Sequence, residues 1–183
     1  MIDYEFIYVI SGPIYIIFLI YLIIKKVSID RIALISLFFL YIISLLSITI
    51  LPLPIEGLNE IKNTFLENYN NYIPFASIFD ILSNQNLGTF IKIKQILGNI
   101  VLFLPMGFFV PIIWKSKNDI KKAIVIGLLG SFSIELLQFI ISRFLGFNYK
   151  ITDIDDIMLN TLGFIIGFYL YKIFCFGYFN KNK

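Results

Sequence analysis

The chain has 183 residues, of which 58% are hydrophobic, with a mean hydropathy of +0.86 and a net charge of +3. This apolar fraction is higher than the ~45–50% of soluble domains, so a polytopic membrane protein is predicted. A single cysteine excludes an internal disulfide framework, and the absence of histidine excludes His-based triads and histidine metal ligands.

Five apolar runs have the length of about 20 residues that a membrane-spanning helix needs. They cover residues 6–24, 32–51, 96–114, 123–142 and 157–176. In the second run, Ser36, Ser44 and Ser47 share one helical face, where hydroxyls usually contact a neighbouring helix. The sequence therefore predicts an all-α, five-helix membrane bundle that forms a single domain over residues 1–183.

A polar segment separates the second and third runs, and within it Pro74 lies where a short helix would begin. Phe75, Ile78, Phe79 and Leu82 then follow the i, i+3, i+4, i+7 spacing of an amphipathic helix. This pattern fits a helix that lies at the membrane interface and roofs a cavity. A helix packed within an ordinary loop fits the pattern equally well.

The basic residues are divided unequally between the two sides of the predicted bundle. Ten of the 15 lie on the side of the loops at residues 25–31 and 115–122, and five lie on the other side. Because basic segments remain on the cytoplasmic side, we predict that the N-terminus is outside and the C-terminus is inside. The segments after the second and fourth runs then face outward.

The fourth and fifth runs each carry a polar face with helical spacing of 4, 3 and 4 residues. The face of the fourth run contains Ser131, Glu135, Gln138 and Ser142. The face of the fifth run contains Asp156, Asn160, Gly163 and Gly167. The two glycines form a small-xxx-small pattern, which favours close approach of another helix.

Polar side chains on three different runs fall in the outward half of the predicted membrane. On the ~1.5 Å rise per residue, Glu135 lies about 4 Å outward of the middle of its run. Asn99, Gln138 and Asn160 lie about 8–10 Å outward by the same count. Polar groups are expensive inside a bilayer, so their convergence predicts a pocket open to the outside or to the outer leaflet. The candidate ligand-binding residues are Asn99, Ser131, Glu135, Gln138, Arg143 and Asn160.

Each of these residues also has a purely structural interpretation. Glu135 would serve as a buried hydrogen-bonding residue that ties helices together, and it is the candidate general acid or base if the protein is an enzyme. Asn99 and Asn160 would act as clasps between helices. The sequence leaves both interpretations open.

Three aspartates, Asp153, Asp155 and Asp156, lie in the connection before the fifth run. Oxygen-only clusters suit Mg²⁺ or Ca²⁺, so these residues are candidate metal ligands. An ordinary solvated loop is the alternative. Arg143, at the mouth of the predicted pocket, could pair with these acids or with a ligand phosphate. No other cofactor is expected.

Several segments resemble the VanZ-like family in their order and spacing, over roughly the second half of the chain. They are YIPF at Tyr72–Phe75, NIVLFLPMGFFVP at Asn99–Pro111, SIELLQ at Ser133–Gln138, Arg143, and DIDDIMLNTLGFIIG at Asp153–Gly167. The resemblance implies a multi-pass protein of the bacterial cytoplasmic membrane. The family is named for a member linked to resistance to teicoplanin, a lipid-tailed glycopeptide, and no established enzymatic mechanism comes with it.

Three hypotheses about function follow. In the first, a non-enzymatic membrane protein binds a membrane lipid or lipid-linked envelope precursor and alters how the envelope meets lipophilic glycopeptides. In the second, a metal-assisted intramembrane enzyme acts on a lipid-linked phosphate or sugar. The third, a small transporter, is disfavoured by five helices without an inverted repeat. No nucleic-acid partner is expected.

Overall fold

The computed structural model describes residues 5–54, 70–114 and 119–175. It contains six helices: α1 (Glu5–Ile24), α2 (Ile29–Ile50), α3 (Ala76–Ser83), α4 (Thr89–Ile113), α5 (Ile120–Leu145) and α6 (Ile154–Phe174). Within these ranges no strand is present, and Asn71 and Asp153 form an isolated parallel bridge. All helices except α3 are long and apolar enough to cross a membrane. The all-α, five-span prediction and the helix after Pro74 are therefore confirmed.

Some predictions concern residues outside the described ranges, and others concern the position of the chain in a membrane. Part of the basic loop at 115–122, the three glutamates of the polar segment (Glu56, Glu60 and Glu67) and the basic C-terminal tail lie outside. Which side of the membrane each terminus occupies stays a prediction, as does the interfacial position of α3.

Several helices begin or end at residues other than those predicted, because polar residues that we had assigned to loops belong to the helices. Thr89 begins α4 seven residues before the predicted start at 96, and Lys92 within its first turn donates from Nζ to Leu82 O at 2.7 Å. Asp119 caps α5 by accepting from the Lys121 backbone N–H at 3.0 Å. Gly146, at φ 77°, takes the left-handed conformation that ends this helix.

The chain divides into two compact units, Met1–Ile61 and Lys62–Lys183. In the first unit, Tyr15 Oη donates to Ser36 Oγ of α2 at 2.5 Å, and Tyr8 Oη lies 3.2 Å from Ser44 Oγ. These serines therefore face a neighbouring helix, as predicted. The prediction of one domain over residues 1–183 stays a prediction.

In the second unit, α4 and α6 run parallel and touch backbone to backbone. A Cβ added at Gly163 would lie 2.0 Å from Ile100 O, and one added at Gly167 would lie 2.0 Å from Leu104 O. From the opposite helix, a Cβ at Gly107 would lie 1.9 Å from the carbonyl oxygen of Phe164. No side chain fits at these distances, so the predicted close approach at the small-xxx-small face is confirmed.

Helix α5 runs antiparallel to α6 and packs on it with small residues at the contact. Gly127 faces the Phe164 side chain, where an added Cβ would lie 3.0 Å from the Phe164 Cβ. Phe103 of α4 and Phe164 are 0% and 1% exposed, so the apolar core of this unit lies among α4, α5 and α6.

Candidate functional site

The helix directions bring four chain segments to one end of the second unit. The parallel helices α4 and α6 begin there, α5 ends there, and α3 lies beside them. We call this region the polar end and define it as residues 70–99 together with residues 131–160. It contains every candidate site residue predicted from the sequence.

Glu135 joins α5 to the start of α6. Its side chain is only 3% exposed, and Oε2 accepts a hydrogen bond from the Asp153 backbone N–H at 3.0 Å. Asp153 is the N-cap of α6, so the carboxylate holds the first turn of that helix against α5. This hydrogen bond supports the structural interpretation of Glu135, and a ligand-binding role stays a prediction.

Two further polar contacts cross between helices below this point. Asn160 of α6 donates from Nδ2 to Ser131 Oγ of α5 at 3.0 Å. Asn99 of α4 donates from Nδ2 to Asp156 Oδ1 of α6. Both asparagines thus make the interhelical clasps that the sequence left as an alternative, and α6 is the helix common to both contacts.

Asp155 serves a purpose that the sequence did not reveal. It is 1% exposed, and its two carboxylate oxygens accept from the Phe75 N–H at 2.5 Å and the Ile78 N–H at 3.1 Å. Phe75 is the N-cap of α3, with φ at 67°, and its own side chain makes no capping bond. A carboxylate of α6 therefore supplies the cap that α3 lacks.

Asp153 completes the attachment of the segment before α3. Oδ1 accepts from Asn71 Nδ2 and from the Asp155 backbone N–H, both at 2.8 Å. The backbone of Asn71 also donates to Thr152 O at 2.9 Å and accepts from Ile154 N at 3.0 Å. These bonds fasten residues 70–78 to residues 152–155.

The geometry does not support the predicted Mg²⁺ or Ca²⁺ site at Asp153, Asp155 and Asp156. Each carboxylate turns to N–H donors on a different element, so the three do not converge on one point. Among the described residues, no three His, Cys, Asp or Glu side chains are grouped to hold a metal ion. The aspartates instead satisfy backbone and amide groups that would otherwise lack acceptors.

The remaining predicted site residues lie nearer the end of α5. Gln138 and Ser142 are buried, at 7% and 3% exposed, on the same helical face as Glu135. Arg143 is exposed, and its guanidinium lies 4.9 Å from the centroid of the Phe139 ring on the preceding turn. The structure therefore brings the buried polar residues together around α6 and places Arg143 on the surface beside them.

The connection from α5 to α6 folds back against the helices. Phe147 is 6% exposed, and the hydroxyl oxygens of Tyr149 and Thr152 are shielded from solvent. These two oxygens and Ser142 Oγ have no hydrogen-bond partner among the residues that the structure describes. Buried polar groups are normally paired, so three unpaired hydroxyls at one end of a bundle call for an explanation.

Lys150 lies on the same connection and is half-buried. Burial lowers its pKa from the usual 10.5, and the negative charge of Glu135 opposes this effect. Burial also raises the pKa of Tyr149 to about 12, with the charge of Glu135 as the second cause.

Sequence reasoning missed Asn71, Tyr149 and Lys150 as members of this site. Lys150 carried one usable signal, because it is a cation three positions before Asp153. Asn71 carried none, since its partner is 82 residues away in the chain.

The charged side chains at the polar end differ in their solvent exposure. Glu135, Asp153 and Asp155 are buried, whereas Lys94 and Arg143 are exposed. The buried acids are matched by N–H donors inside the protein. The exposed basic groups leave a positive surface toward the surroundings, although Asp80 of α3 is also exposed.

A family model described as VanZ/LLP1 matches residues 38–175, which are 138 of the 183 residues. The match includes all of α3 to α5, all of α6 and therefore the whole polar end. No curated protein and no solved structure matches the chain.

Proposed function

The chain belongs to the VanZ/LLP1 family, and from this premise we propose that its polar end binds the headgroup of a membrane lipid or lipid-linked envelope component. One observation carries the proposal: the shielded hydroxyls of Ser142, Tyr149 and Thr152 have no partner among the described residues. An unsatisfied buried group costs about 1–3 kcal/mol. A headgroup rich in hydrogen-bonding oxygens would satisfy all three.

The depth of the Ser142 hydroxyl supports a headgroup as the ligand. Ser142 is three residues before the end of α5, which is about 5 Å along the helix axis. That distance corresponds to the boundary between the hydrocarbon core and the headgroup region. Glu135 is ten residues before the end of α5, about 15 Å along the axis, and it positions the connection through its bond with the Asp153 N–H.

The setting of the proposal is the bacterial cytoplasmic membrane, with the polar end in the outer leaflet. The distribution of basic residues supports this orientation. A lipophilic glycopeptide such as teicoplanin carries its own lipid tail, so a protein that holds a lipid headgroup there would change how the envelope meets such a compound. We therefore include lowered susceptibility to lipophilic glycopeptides in the proposal.

The test is lipid analysis of gently purified protein. The variant Ser142→Ala/Tyr149→Phe/Thr152→Val removes the three hydroxyls and retains the shapes of the side chains. We expect the wild type to retain one lipid species selectively and the triple variant to lose it. The matched control is Ser133→Ala, because the Ser133 hydroxyl donates to Leu129 O of its own helix at 2.6 Å.

The same preparations test the two alternative activities. Equal amounts of bulk phospholipid in the wild type, the triple variant and the control would contradict the binding proposal. Chemical turnover of a labelled lipid by the wild type would favour the enzyme hypothesis instead. Growth inhibition by teicoplanin, compared between cells carrying the wild type and the triple variant, tests the resistance part separately.

A further inference from the structure

Helix α3 carries apolar side chains that the described part of the chain leaves exposed. Phe79 and Leu82 are 69% and 57% exposed, and they lie three residues apart on one side of the helix. Phe75, the N-cap one turn before Phe79, is 60% exposed. We call these three residues the α3 patch. Large apolar side chains that are exposed together mark a surface that contacts something other than water.

The exposed side of α3 is divided lengthwise into an apolar edge and a polar edge. With 3.6 residues per turn, Phe79 and Leu82 lie about 60° apart around the helix. Asp80 and Ser83 are exposed, and each lies about 100° further round than the apolar residue before it. An apolar edge beside a polar edge is typical of a helix at a membrane surface, because hydrocarbon covers the first and water the second.

Both ends of α3 are fastened to helices that are long and apolar enough to cross a membrane. At its start, the buried Asp155 carboxylate of α6 accepts from the N–H groups of Phe75 and Ile78. At its end, Lys92 of α4 donates from Nζ to Leu82 O at 2.7 Å. Asp155 and Lys92 both lie in the first turn of their helices. Helix α3 is therefore level with the ends of two spans.

This level corresponds to the boundary between the hydrocarbon core and the headgroups. A backbone at that depth needs partners within the protein for its polar groups, and the two side-chain bonds supply them at the ends of α3. Leu82 is bonded to the start of α4, where Phe90, Ile93 and Leu97 are exposed on one helical face. On a membrane span such a face meets lipid, so lipid also lies beside Leu82.

We propose that α3 lies in the membrane surface around the polar end, with the α3 patch inserted among lipid acyl chains and Asp80 turned to water. The partner of the patch is the lipid bilayer and not a second protein. Asp155 and Lys92 hold the helix at this depth through their bonds to its backbone. This membrane contact is separate from the headgroup site proposed above, and neither depends on the other.

The experiment measures how deep neighbouring residues of α3 lie in a bilayer. Nitroxide spin labels are attached to single cysteines in a Cys175→Ser background, and the full chain is reconstituted in vesicles of phosphatidylcholine and phosphatidylglycerol. Phe79→Cys and Leu82→Cys report on the apolar edge. Their neighbours Asp80→Cys and Ser83→Cys are the matched controls on the polar edge. Electron paramagnetic resonance compares collisions with oxygen, which concentrates in lipid, and with a water-soluble nickel chelate.

We expect the ratio of oxygen to nickel collisions to be higher at 79 and 82 than at 80 and 83 by a factor on the order of ten, because hydrocarbon excludes the polar chelate. Equal ratios, with nickel reaching all four positions, would place the patch in water and overturn the inference. Few collisions with either reagent at 79 and 82 would mean that a protein surface covers the patch, and would also overturn it. Either pair of positions decides the outcome if a label in the other lowers the melting temperature.

A second variant tests how α3 is held. Lys92→Met removes the donor to Leu82 O, so collisions with nickel at position 82 should increase. Lys94→Met, which changes an exposed lysine on the same helix, should leave them as they are. Unchanged nickel collisions in Lys92→Met would overturn the role of Lys92 in holding the depth of α3.

Discussion

The two halves of α6 are joined to their neighbours by different physical means. The polar half, from Asp153 to Asn160, is held by directional hydrogen bonds to α3, α4 and α5. The glycine half, from Gly163 to Gly167, is held by contact with the backbone of α4, with no room for a side chain atom. In a lipid environment, such close packing is a main source of helix association.

The difference separates what stabilises the bundle from what is available for binding. In the glycine half the backbones of α4 and α6 already touch, so a ligand has no space between them. In the polar half the bonds of the aspartates are complete. Asn160 Oδ1 and the hydroxyls of Ser142, Tyr149 and Thr152 have no hydrogen-bond partner among the described residues. Stability should therefore be most sensitive to changes in the glycine half, and ligand binding to changes beyond the polar half.

The largest effect is expected from Gly163→Ala. The added methyl would lie 2.0 Å from Ile100 O, and backbone atoms cannot move aside without separating α4 from α6. We expect a loss of about 3 kcal/mol in the free energy of unfolding, measured by thermal or denaturant unfolding in detergent. Gly98→Ala on α4 is the control, because nothing lies within 4 Å of its Cβ position. An alanine tolerated at 163 as well as at 98 would contradict the backbone contact.

Asp155→Ala should produce the next largest loss, of about 2–4 kcal/mol, because it leaves two partly buried N–H groups at the start of α3 without acceptors. Protease cleavage or hydrogen exchange within residues 70–83 should increase at the same time. Asp80→Ala, an exposed acid on α3 itself, should change neither quantity. Unchanged protection of α3 in the Asp155 variant would show that something else holds this helix.

Ser131→Ala tests a single interhelical clasp in the polar half. It removes the acceptor of Asn160 Nδ2 and should lower stability by about 0.6 kcal/mol, the average of such bonds in membrane bundles, and by no more than about 1.7 kcal/mol. Ser133→Ala lies on the same helix and bonds only to its own backbone, so its effect should be smaller. Equal effects of the two serines would mean that the Asn160 bond contributes nothing measurable.

Tyr149→Phe should separate stability from binding. The variant removes a shielded hydroxyl that has no partner in the described structure, so stability should stay the same or rise by up to about 1 kcal/mol. Retention of the lipid should nevertheless fall. A clear loss of stability, measured in lipid-free detergent, would show that the hydroxyl has a partner within the protein.

The pH dependence should show two opposing slopes at the polar end. Between the lowered pKa of Lys150 and its usual 10.5, the unfolded chain holds a proton that the folded chain has lost, so stability should rise with pH. Between the usual pKa of Tyr149, 10.0, and its raised value of about 12, the unfolded chain loses its proton first, so stability should fall.

The Lys150→Arg variant should lack the first slope, since arginine stays charged. Titration of stability from pH 8 to about 12 measures both slopes. A first slope that survives in Lys150→Gln would assign it to another group.

The sequence predicted the helices well because length and hydropathy decide them, but it misplaced several of their ends. The sequence placed Lys92 and Asp155 in loops. Each instead lies in the first turn of a helix, where its charged group makes hydrogen bonds. Helical spacing also placed Glu135 with Ser131, and Asp156 with Asn160, on shared faces. That spacing is a local property, so the sequence contains it.

The partners of these residues could not be predicted, because they are set by segments far apart in the chain. The sequence made Asp155 a candidate metal ligand, but its carboxylate oxygens accept hydrogen bonds from the N–H groups of residues 75 and 78. Asn71 gave no signal, because its contacts depend on where the connection before α6 lies. Lys150 and Tyr149 became candidates only once that connection was seen to fold back.

The most direct test of the account is to map where a lipid headgroup touches the protein. A phosphatidylglycerol with a photoreactive group at its headgroup would be crosslinked to the purified chain, and the labelled peptides would be identified by mass spectrometry. We expect labelling within residues 142–152 that unlabelled phosphatidylglycerol competes away. Labelling spread evenly along the helices, or concentrated near the end of α6 at Tyr171 and Phe174, would contradict a headgroup site at the polar end.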